Sequence, residues 1–205
     1  PRSTLRHTLF PDTTLFRSAS TLEADLSEVT ADGVEEATLT VVVKDSYGNP
    51  VSGSSVVLEA GGSGNDLVQP VGVTGSDGTA TGTLSSTVAE QKTVRGRIDG
   101  SYMADSVQID FTAGALDYFE ISHDGYNAAG NGENISIQAL DAEGNLITGY
   151  DGTVEIFTNT AETEDRISWG IGTGTGSIIS ERGDTLEYQF AQTDGGEVTF
   201  ILTDL

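Results

Sequence analysis

A nine-residue pattern occurs twice in this chain, 96 residues apart, and alternating apolar and polar residues precede each copy. The copies read Asp45-Ser-Tyr-Gly-Asn-Pro-Val-Ser-Gly53 and Asp141-Ala-Glu-Gly-Asn-Leu-Ile-Thr-Gly149. Asp, Gly and Asn favour tight turns, because Asp and Asn bond the nearby backbone and Gly adopts positive φ. A repeat of about 100 residues predicts tandem β-sandwich domains of that size.

The residues before each turn alternate with a period of two, which is typical of a half-buried antiparallel strand. The side chains expected to face the core are Leu39, Val41 and Val43 in the first sandwich and Ile135, Ile137 and Ala139 in the second. No window shows a sustained apolar period of 3.6 residues, the mark of an amphipathic helix. We therefore predict an all-β fold.

Further alternating runs, bounded by Gly, Asn and Asp, are predicted as strands. They are Val51–Leu58, Val71–Val73, Thr79–Leu84, Thr93–Ile98, Ser106–Thr112, Leu116–Ile121, Val154–Ile156 and Val198–Leu202. The Gly-rich run Gly61–Asp66 is interpreted as a turn, as are Ser76–Gly78 and Asp99–Gly100. The segment Asn159–Ser180 is long and Gly-rich, and no strand is predicted in it.

The second sandwich is expected to lack its last strand. The prediction matches Val198–Leu202 in the second half to Val94–Ile98 in the first. In the first half a closing strand, Ser106–Thr112, follows this element, whereas only Thr203–Leu205 follow it in the second. A missing strand would leave unpaired backbone N–H and C=O groups on its neighbour.

The chain is divided into three segments by composition and pattern. Residues 1–18 contain three of the nine basic residues and match neither repeat, and His7–Ser18 resembles a translated sequencing-adapter read. Residues 1–18 are therefore interpreted as a non-native or linker segment. Residues 19–114 are assigned to the first sandwich and residues 115–205 to the second, C-terminally truncated one. Because the chain begins with Pro1, we expect it to be a piece of a longer protein.

The charge of the chain restricts its partners. With 9 Lys and Arg against 32 Asp and Glu, the formal net charge is −23. Such a charge argues against nucleic acid and against an anionic membrane surface, both of which attract Lys and Arg. The chain has no Cys, which excludes disulfides, zinc-thiolate sites and thiol catalysis.

Three motifs of the first half resemble, in their order and spacing, the bacterial immunoglobulin-like domain of the invasin/intimin group. These motifs are Ser27–Gly33, Ala37–Gly53 and Thr74–Ala80. The second half is similar to the broader bacterial immunoglobulin-like group through Asp141–Asn145 and Gly149–Thr153. The resemblance implies two tandem immunoglobulin-like β-sandwiches of the kind found in bacterial surface adhesins and other secreted multidomain proteins.

From this resemblance we expect a non-catalytic spacer or stalk segment of a bacterial cell-surface adhesin or secreted multidomain protein. The implied partners are the neighbouring Ig-like domains of the parent chain and, through another module, a host or cell-surface receptor. The implied location is extracellular, with the parent anchored in the outer membrane or secreted by a part outside this sequence. Two alternatives stay open: the receptor- or glycan-binding tip of the same adhesin, and an accessory module of a large secreted enzyme.

Clustered acidic residues are the main candidates for a ligand site, since carboxylates bind Ca²⁺. The clusters are Asp32/Glu35/Glu36, Glu162/Glu164/Asp165 and Asp194/Glu197. They lack EF-hand spacing, and a solvated acidic surface accounts for them without a metal. The alternative is a Ca²⁺ site at the domain junction, to which acids such as Asp99, Asp117 or Asp151 would have to converge.

No catalytic or cofactor-binding residue is predicted. His7 and His123 are the two histidines, and His7 lies in the segment interpreted as non-native, so a Ser-His-Asp triad or a metal-His site lacks parts. His123 is interpreted as a solvated turn residue. The run Gly170–Gly176 lacks the Lys of a phosphate-binding loop and is interpreted as a flexible surface loop. Trp169 could stack on a sugar, but packing at the edge of the core is the favoured interpretation.

Deletion of residues 1–18 is expected to leave the thermal midpoint of the protein unchanged, because this segment matches neither sandwich in composition or pattern. Differential scanning calorimetry of the full chain and of the chain from residue 19 measures the effect. A decrease of several degrees on deletion would show that the segment packs against the first sandwich.

Overall fold

The computed structural model describes residues 19–123, 125, 131–158, 167–182 and 184–204. The chain divides into two compact units. The first unit runs as far as Val29 and continues over Gly33–Phe111, and the second takes in Thr30–Asp32 and the chain from Thr112 onward. Residues 1–18, interpreted above as non-native or linker sequence, lie outside the described residues.

The first unit contains two antiparallel sheets. Its strands are β1 (Thr21–Ala24), β2 (Glu28–Thr30), β3 (Ala37–Val42), β4 (Val56–Ala60), β5 (Asn65–Val68), β6 (Thr79–Ser86), β7 (Gln91–Ile98) and β8 (Ser101–Thr112). One sheet has the order β1-β3-β6-β5 and the other the order β2-β8-β7-β4. These orders are those of an immunoglobulin-like sandwich, in which strand B pairs with strand E and strand C with strand F. Here β3 pairs with β6 and β4 with β7.

The core of the first unit lies between these sheets. Leu39, Val41 and Val43 are fully buried, as predicted from the alternation of β3. The facing sheet contributes buried side chains from β4, β7 and β8, namely Val56, Leu58, Val94, Ile98, Ile109 and Phe111. Because both sheets bury one face, the unit is a β-sandwich.

One strand prediction and one turn prediction in the first unit are wrong, and the predicted strand Val51–Leu58 begins only at Val56. Val71–Val73 is not a strand: Val73 makes an isolated bridge with Ser55, and Val71 is 97% exposed. The predicted turn at Gly61–Asp66 instead leads into β5, which pairs with β6. A Cβ on Gly82 of β6 would lie only 2.3 Å from the Val68 carbonyl oxygen, so this glycine lets the chain approach closely. Tertiary packing here outweighs the turn propensity of the sequence.

The second unit also contains two antiparallel sheets. Its strands are β9 (Tyr118–His123), β10 (Gly132–Leu140), β11 (Thr153–Phe157), β12 (Ile167–Thr173), β13 (Ser177–Arg182), β14 (Thr185–Gln189) and β15 (Glu197–Asp204). The sheet orders are β12-β15-β10-β9 and β11-β14-β13. No helix among the described residues has the length and apolarity that crossing a membrane requires.

Aromatic side chains dominate the core of the second unit. Ile137 and Ala139 are fully buried as predicted, and Ile135 is partly buried against the same core. Trp169, Tyr188, Phe190 and Phe200 form edge-to-face ring pairs with centroids 5.1–6.3 Å apart. Both sheets of the unit contribute to this cluster, which makes the second unit a sandwich as well.

The predicted equivalence of Val198–Leu202 with Val94–Ile98 is wrong. In the first unit Val94–Ile98 belongs to β7, which lies between β4 and β8. In the second unit Val198–Leu202 belongs to β15, which lies between β10 and β12, the place that β6 has in the first unit. Alternation of apolar and polar residues predicts a strand but does not say which strand it pairs with. The sequence match therefore assigned Val198–Leu202 to the wrong sheet. The missing last strand, which was inferred from this match, stays a prediction.

Leu39→Ala is expected to lower the free energy of unfolding of the first unit by about 2–5 kcal/mol, because the change removes buried methyl groups and leaves a cavity. Val57→Ala, a truncation on β4 of a side chain that is 45% exposed, should cost less than about 0.5 kcal/mol. Urea denaturation of the two variants measures both values. An equal, small effect of the two changes would contradict the core position of Leu39.

Candidate functional site

The first copy of the repeated pattern is a turn held by the Asp45 carboxylate. Its Oδ1 accepts hydrogen bonds from the backbone N–H groups of Tyr47 and Asn49, both at 2.9 Å. Its Oδ2 accepts from Asn49 Nδ2 at 3.1 Å. Gly48 between them has φ of 84°, a value that glycine adopts without strain. Hydrogen bonds from the side chain and backbone of Asn49 lower the pKa of Asp45.

The second copy repeats this geometry atom for atom. Asp141 Oδ1 accepts from the N–H groups of Glu143 at 3.1 Å and Asn145 at 2.7 Å, and Oδ2 accepts from Asn145 Nδ2 at 3.0 Å. Gly144 has φ of 83°. The prediction that these Asp and Asn residues bond their own turn is therefore confirmed.

The second turn also makes a hydrogen bond to the segment that precedes the second unit. Asp141 Oδ2 also accepts a hydrogen bond of 2.9 Å from the N–H of Gly114, in the segment that connects β8 to β9. In the same segment the N–H of Asp117 donates to the carbonyl of Leu140. Asp141 is 1% exposed, and burial alone would raise its pKa. The hydrogen bonds from Asn145, Gly114 and Glu143 outweigh burial and lower the pKa of Asp141.

A second carboxylate network, centred on Asp194, closes the loop before β15. Its Oδ1 accepts from the Thr175 N–H at 2.5 Å, and its Oδ2 accepts from the Ala191 N–H and from the Tyr188 hydroxyl, both at 3.0 Å. Burial, and then the hydrogen bond to Asp194, raise the pKa of Tyr188 to about 12. The phenol is therefore a protonated donor at neutral pH. Sequence reasoning placed Asp194 in an acidic cluster and missed this partner.

Gly170–Gly176, predicted as a flexible surface loop, belongs mostly to β12 and pairs with β15. Its last glycines make room for the Tyr188 phenol: a Cβ on Gly176 would lie 2.5 Å from the hydroxyl oxygen, and one on Gly174 2.8 Å from it. The glycines are thus required by packing. Trp169 at the start of this run is 6% exposed and packs in the core, as the favoured interpretation predicted.

The predicted acidic clusters do not form a common site in the described part of the chain. Asp194 bonds Tyr188, whereas Glu197 accepts a hydrogen bond of 2.8 Å from the Ser136 hydroxyl. The cluster Glu162/Glu164/Asp165 lies outside the described residues. Asp32, Glu35 and Glu36 precede β3. No group of three or more His, Asp or Glu that could hold a metal ion occurs among the described residues.

Two of the acids predicted for a junctional Ca²⁺ site, Asp99 and Asp151, have carboxylates with separate partners, whereas Asp117 bonds through its backbone. Asp99 Oδ1 accepts from the Ser55 N–H at 2.9 Å, the Asp117 N–H donates to Leu140, and Asp151 bonds the side chain of Gln192. The Ca²⁺ site stays a prediction.

His123 is not a turn residue, because it forms the end of β9, opposite Ile135 of β10. Its side chain is 64% exposed, and Nδ1 lies 3.1 Å from Glu133 Oε1. His7 lies outside the described residues.

Comparison with known proteins gives a family match for the first unit. Residues 19–112 match the family model described as bacterial Ig-like domain (group 1). A stretch of 90 residues is 32% identical to the inverse autotransporter adhesin YeeJ of Escherichia coli strain K12, covering 44% of this chain and 4% of that protein. The chain thus spans a small part of this adhesin's length.

Two solved bacterial structures share the fold over most of this chain. Invasin, a bacterial integrin-binding protein, aligns with a TM-score of 0.54 and 23% identity over 85% of this chain and 34% of that one. InvD of Yersinia pseudotuberculosis aligns with a TM-score of 0.55 and 21% identity over 91% of this chain and 49% of that one. These likenesses confirm the prediction of immunoglobulin-like β-sandwiches.

Asp194→Asn is expected to destabilise the second unit by about 2 kcal/mol at pH 7, because an amide cannot accept both backbone N–H bonds. Burial raises the pKa of Asp194, but its hydrogen bonds lower it more, starting with the Thr175 N–H. Because the pKa of Asp194 is lower in the folded than in the unfolded protein, its carboxylate stabilises the fold at pH values above the unfolded pKa of about 3.9. This stabilisation is lost as the pH falls through the folded pKa. The variant should therefore lose less stability in acid than the wild type.

Unfolding followed by fluorescence of Trp169, the single Trp, reports on the second unit. The control is Glu143→Gln, which removes an exposed charge and should keep the acid dependence of the wild type. The same acid dependence in all three proteins would contradict a stabilising role for the Asp194 carboxylate.

Proposed function

We propose that the chain, whose residues 19–112 match the bacterial Ig-like domain (group 1) model, is a non-catalytic spacer segment of a bacterial cell-surface adhesin or secreted multidomain protein. Its partners are the neighbouring Ig-like domains of the parent, which engages a host or cell-surface receptor through another module. Its location is extracellular, at the bacterial surface.

The observation that carries this proposal is the connection before the second unit. Asp141 stands in a turn that the first unit also has, and its carboxylate additionally bonds the N–H of Gly114. The Asp117 N–H bonds Leu140 at the other end of the same short segment. A connection bonded at two points has fewer free backbone torsions than a flexible linker, and a segment that serves as a spacer benefits from this restriction.

The two separate cores also support a spacer. Each unit buries its own set of side chains between two sheets, Leu39 and Val41 in the first and Ile137 and Phe200 in the second. A unit with its own core folds independently of what precedes or follows it, so units of this kind can be repeated to extend reach.

Asp141→Ala is expected to increase the fast motion of the connecting segment, residues 113–117, because the Gly114 N–H loses its acceptor. The matched control is Asp45→Ala, which removes the equivalent carboxylate from the first turn. Backbone ¹⁵N relaxation measures the order parameters of residues 113–117 in both variants. We expect values below about 0.6 in Asp141→Ala and values near 0.85 in Asp45→Ala and in the wild type.

Order parameters already below about 0.6 in the wild type would contradict the proposal, because the connection would then be a flexible linker. Equal order parameters in all three proteins at the rigid value would show that the Asp141 carboxylate does not restrain the segment.

A further inference from the structure

The outer face of the sheet β2-β8-β7-β4 has an irregularity between β7 and β8. Arg95 pairs with Ser106 and Arg97 with Tyr102, so the single residue Gly96 faces three residues of β8. Met103, in this bulge, turns inward and is 7% exposed. A Cβ on Gly96 would lie 2.5 Å from Met103 Sδ, so the glycine is required for this arrangement. Bulges of this kind redirect side chains and are frequent next to functional sites.

A surface depression of about 340 Å³ lies at the bulge. Its lining residues are Arg95, Tyr102, Met103, Ala104, Asp105 and Ser106. Its volume is at the lower end of the range of small-molecule sites, about 300–1,000 Å³. A hollow of this size fits one or two sugar rings, whereas a protein partner needs a contact area of about 800 Å² on each side.

One wall of the depression is an aromatic ring held in a fixed position. The Arg97 guanidinium lies 4.1 Å from the centroid of the Tyr102 ring, and its Nη2 donates to the Tyr102 hydroxyl. The hydroxyl in turn donates to Glu59 Oε2 at 2.7 Å, and Arg97 Nε lies 2.8 Å from Glu59 Oε1. Tyr102 is nevertheless 49% exposed. The ring is thus oriented by its neighbours, with one face covered by the Arg97 guanidinium and about half of the side chain left accessible.

The lining of the depression contains one guanidinium, that of Arg95, and one carboxylate, that of Asp105. Arg97 is paired with Glu59, but Arg95 is exposed and has no ion pair among the described residues. The Asp105 carboxylate in the lining accepts hydrogen bonds of 3.0 Å from the N–H groups of Leu22 and Ser106, which occupy both of its oxygens. A guanidinium without an ion pair among the described residues and a half-exposed aromatic ring therefore line the same depression.

We propose that this depression binds a carboxylated sugar, with the Arg95 guanidinium bonding the carboxylate and the Tyr102 ring packing against the sugar ring. Guanidinium is the side-chain group that matches a carboxylate with two parallel hydrogen bonds. An aromatic side chain offers a flat apolar surface to the C–H groups of a sugar, and Ser106 supplies a hydroxyl for a further hydrogen bond. The site lies on strands β7 and β8 of the first unit, and it does not depend on the spacer proposal.

The test is a titration of the ¹⁵N-labelled full chain with 3′-sialyllactose, and with lactose as the neutral counterpart. Saturable shifts are expected at the amides of Arg95, Tyr102 and Ser106, with a Kd on the order of 1 mM. Lactose should leave these amides unchanged. Arg95→Gln should weaken binding about tenfold, and Arg95→Lys should weaken it less, because Lys keeps the charge but loses the bidentate geometry.

The matched control is Arg182→Gln, which removes an exposed Arg from β13 of the second unit and should leave the affinity unchanged. Absence of saturable shifts, or equal shifts with lactose, would overturn the proposal. The last titration uses a tri-glutamate peptide. If it shifts the same amides with a lower Kd than 3′-sialyllactose, the ligand is an acidic peptide and the assignment to a sugar is wrong.

Discussion

Hydrogen bonds from backbone N–H groups to Asp carboxylates hold the turns on which both sandwiches depend. At the turns the chain leaves the sheet, and N–H groups there need an acceptor other than a neighbouring strand. Asp25, Asp45, Asp77, Asp141 and Asp194 each accept at least one such bond. The pKa of each of these five carboxyls is lowered. Part of the strong negative charge of the chain therefore stabilises its fold, in addition to keeping its surface solvated.

Glycines allow the close packing of other groups at several positions in both units. The carboxylate of Asp194 and the phenol of Tyr188 meet below Gly174 and Gly176, where a side chain would overlap the hydroxyl. In the first unit, Gly82 admits the neighbouring strand and Gly96 admits Met103. The abundance of glycine in this chain thus reflects close packing as well as the positive φ of its turns.

Local features could be predicted from the sequence, and features that depend on distant residues could not. The alternation of β3 and the Asp-Gly-Asn pattern act within a few residues, so the core position of Leu39 and the bonds of Asp45 were predictable. The strand β5 forms because β6 lies beside it, and β15 pairs with β10 rather than with a strand of the other sheet. The Arg95 depression depends on a bulge in the pairing of β7 with β8, which leaves no pattern in either strand alone.

The proposed spacer function and the proposed sugar site use different residues, and this separation has a physical basis. The inner faces of the sheets and the Asp141 turn are constrained, because a change there opens a cavity or removes the acceptor of the Gly114 N–H. The outer face of β7 and β8 is less constrained, since Arg95 and Tyr102 are exposed. Because the buried inner faces of the sheets stabilise each unit, substitutions on the exposed outer face of a sheet cost little stability. A binding site can therefore arise on that outer face.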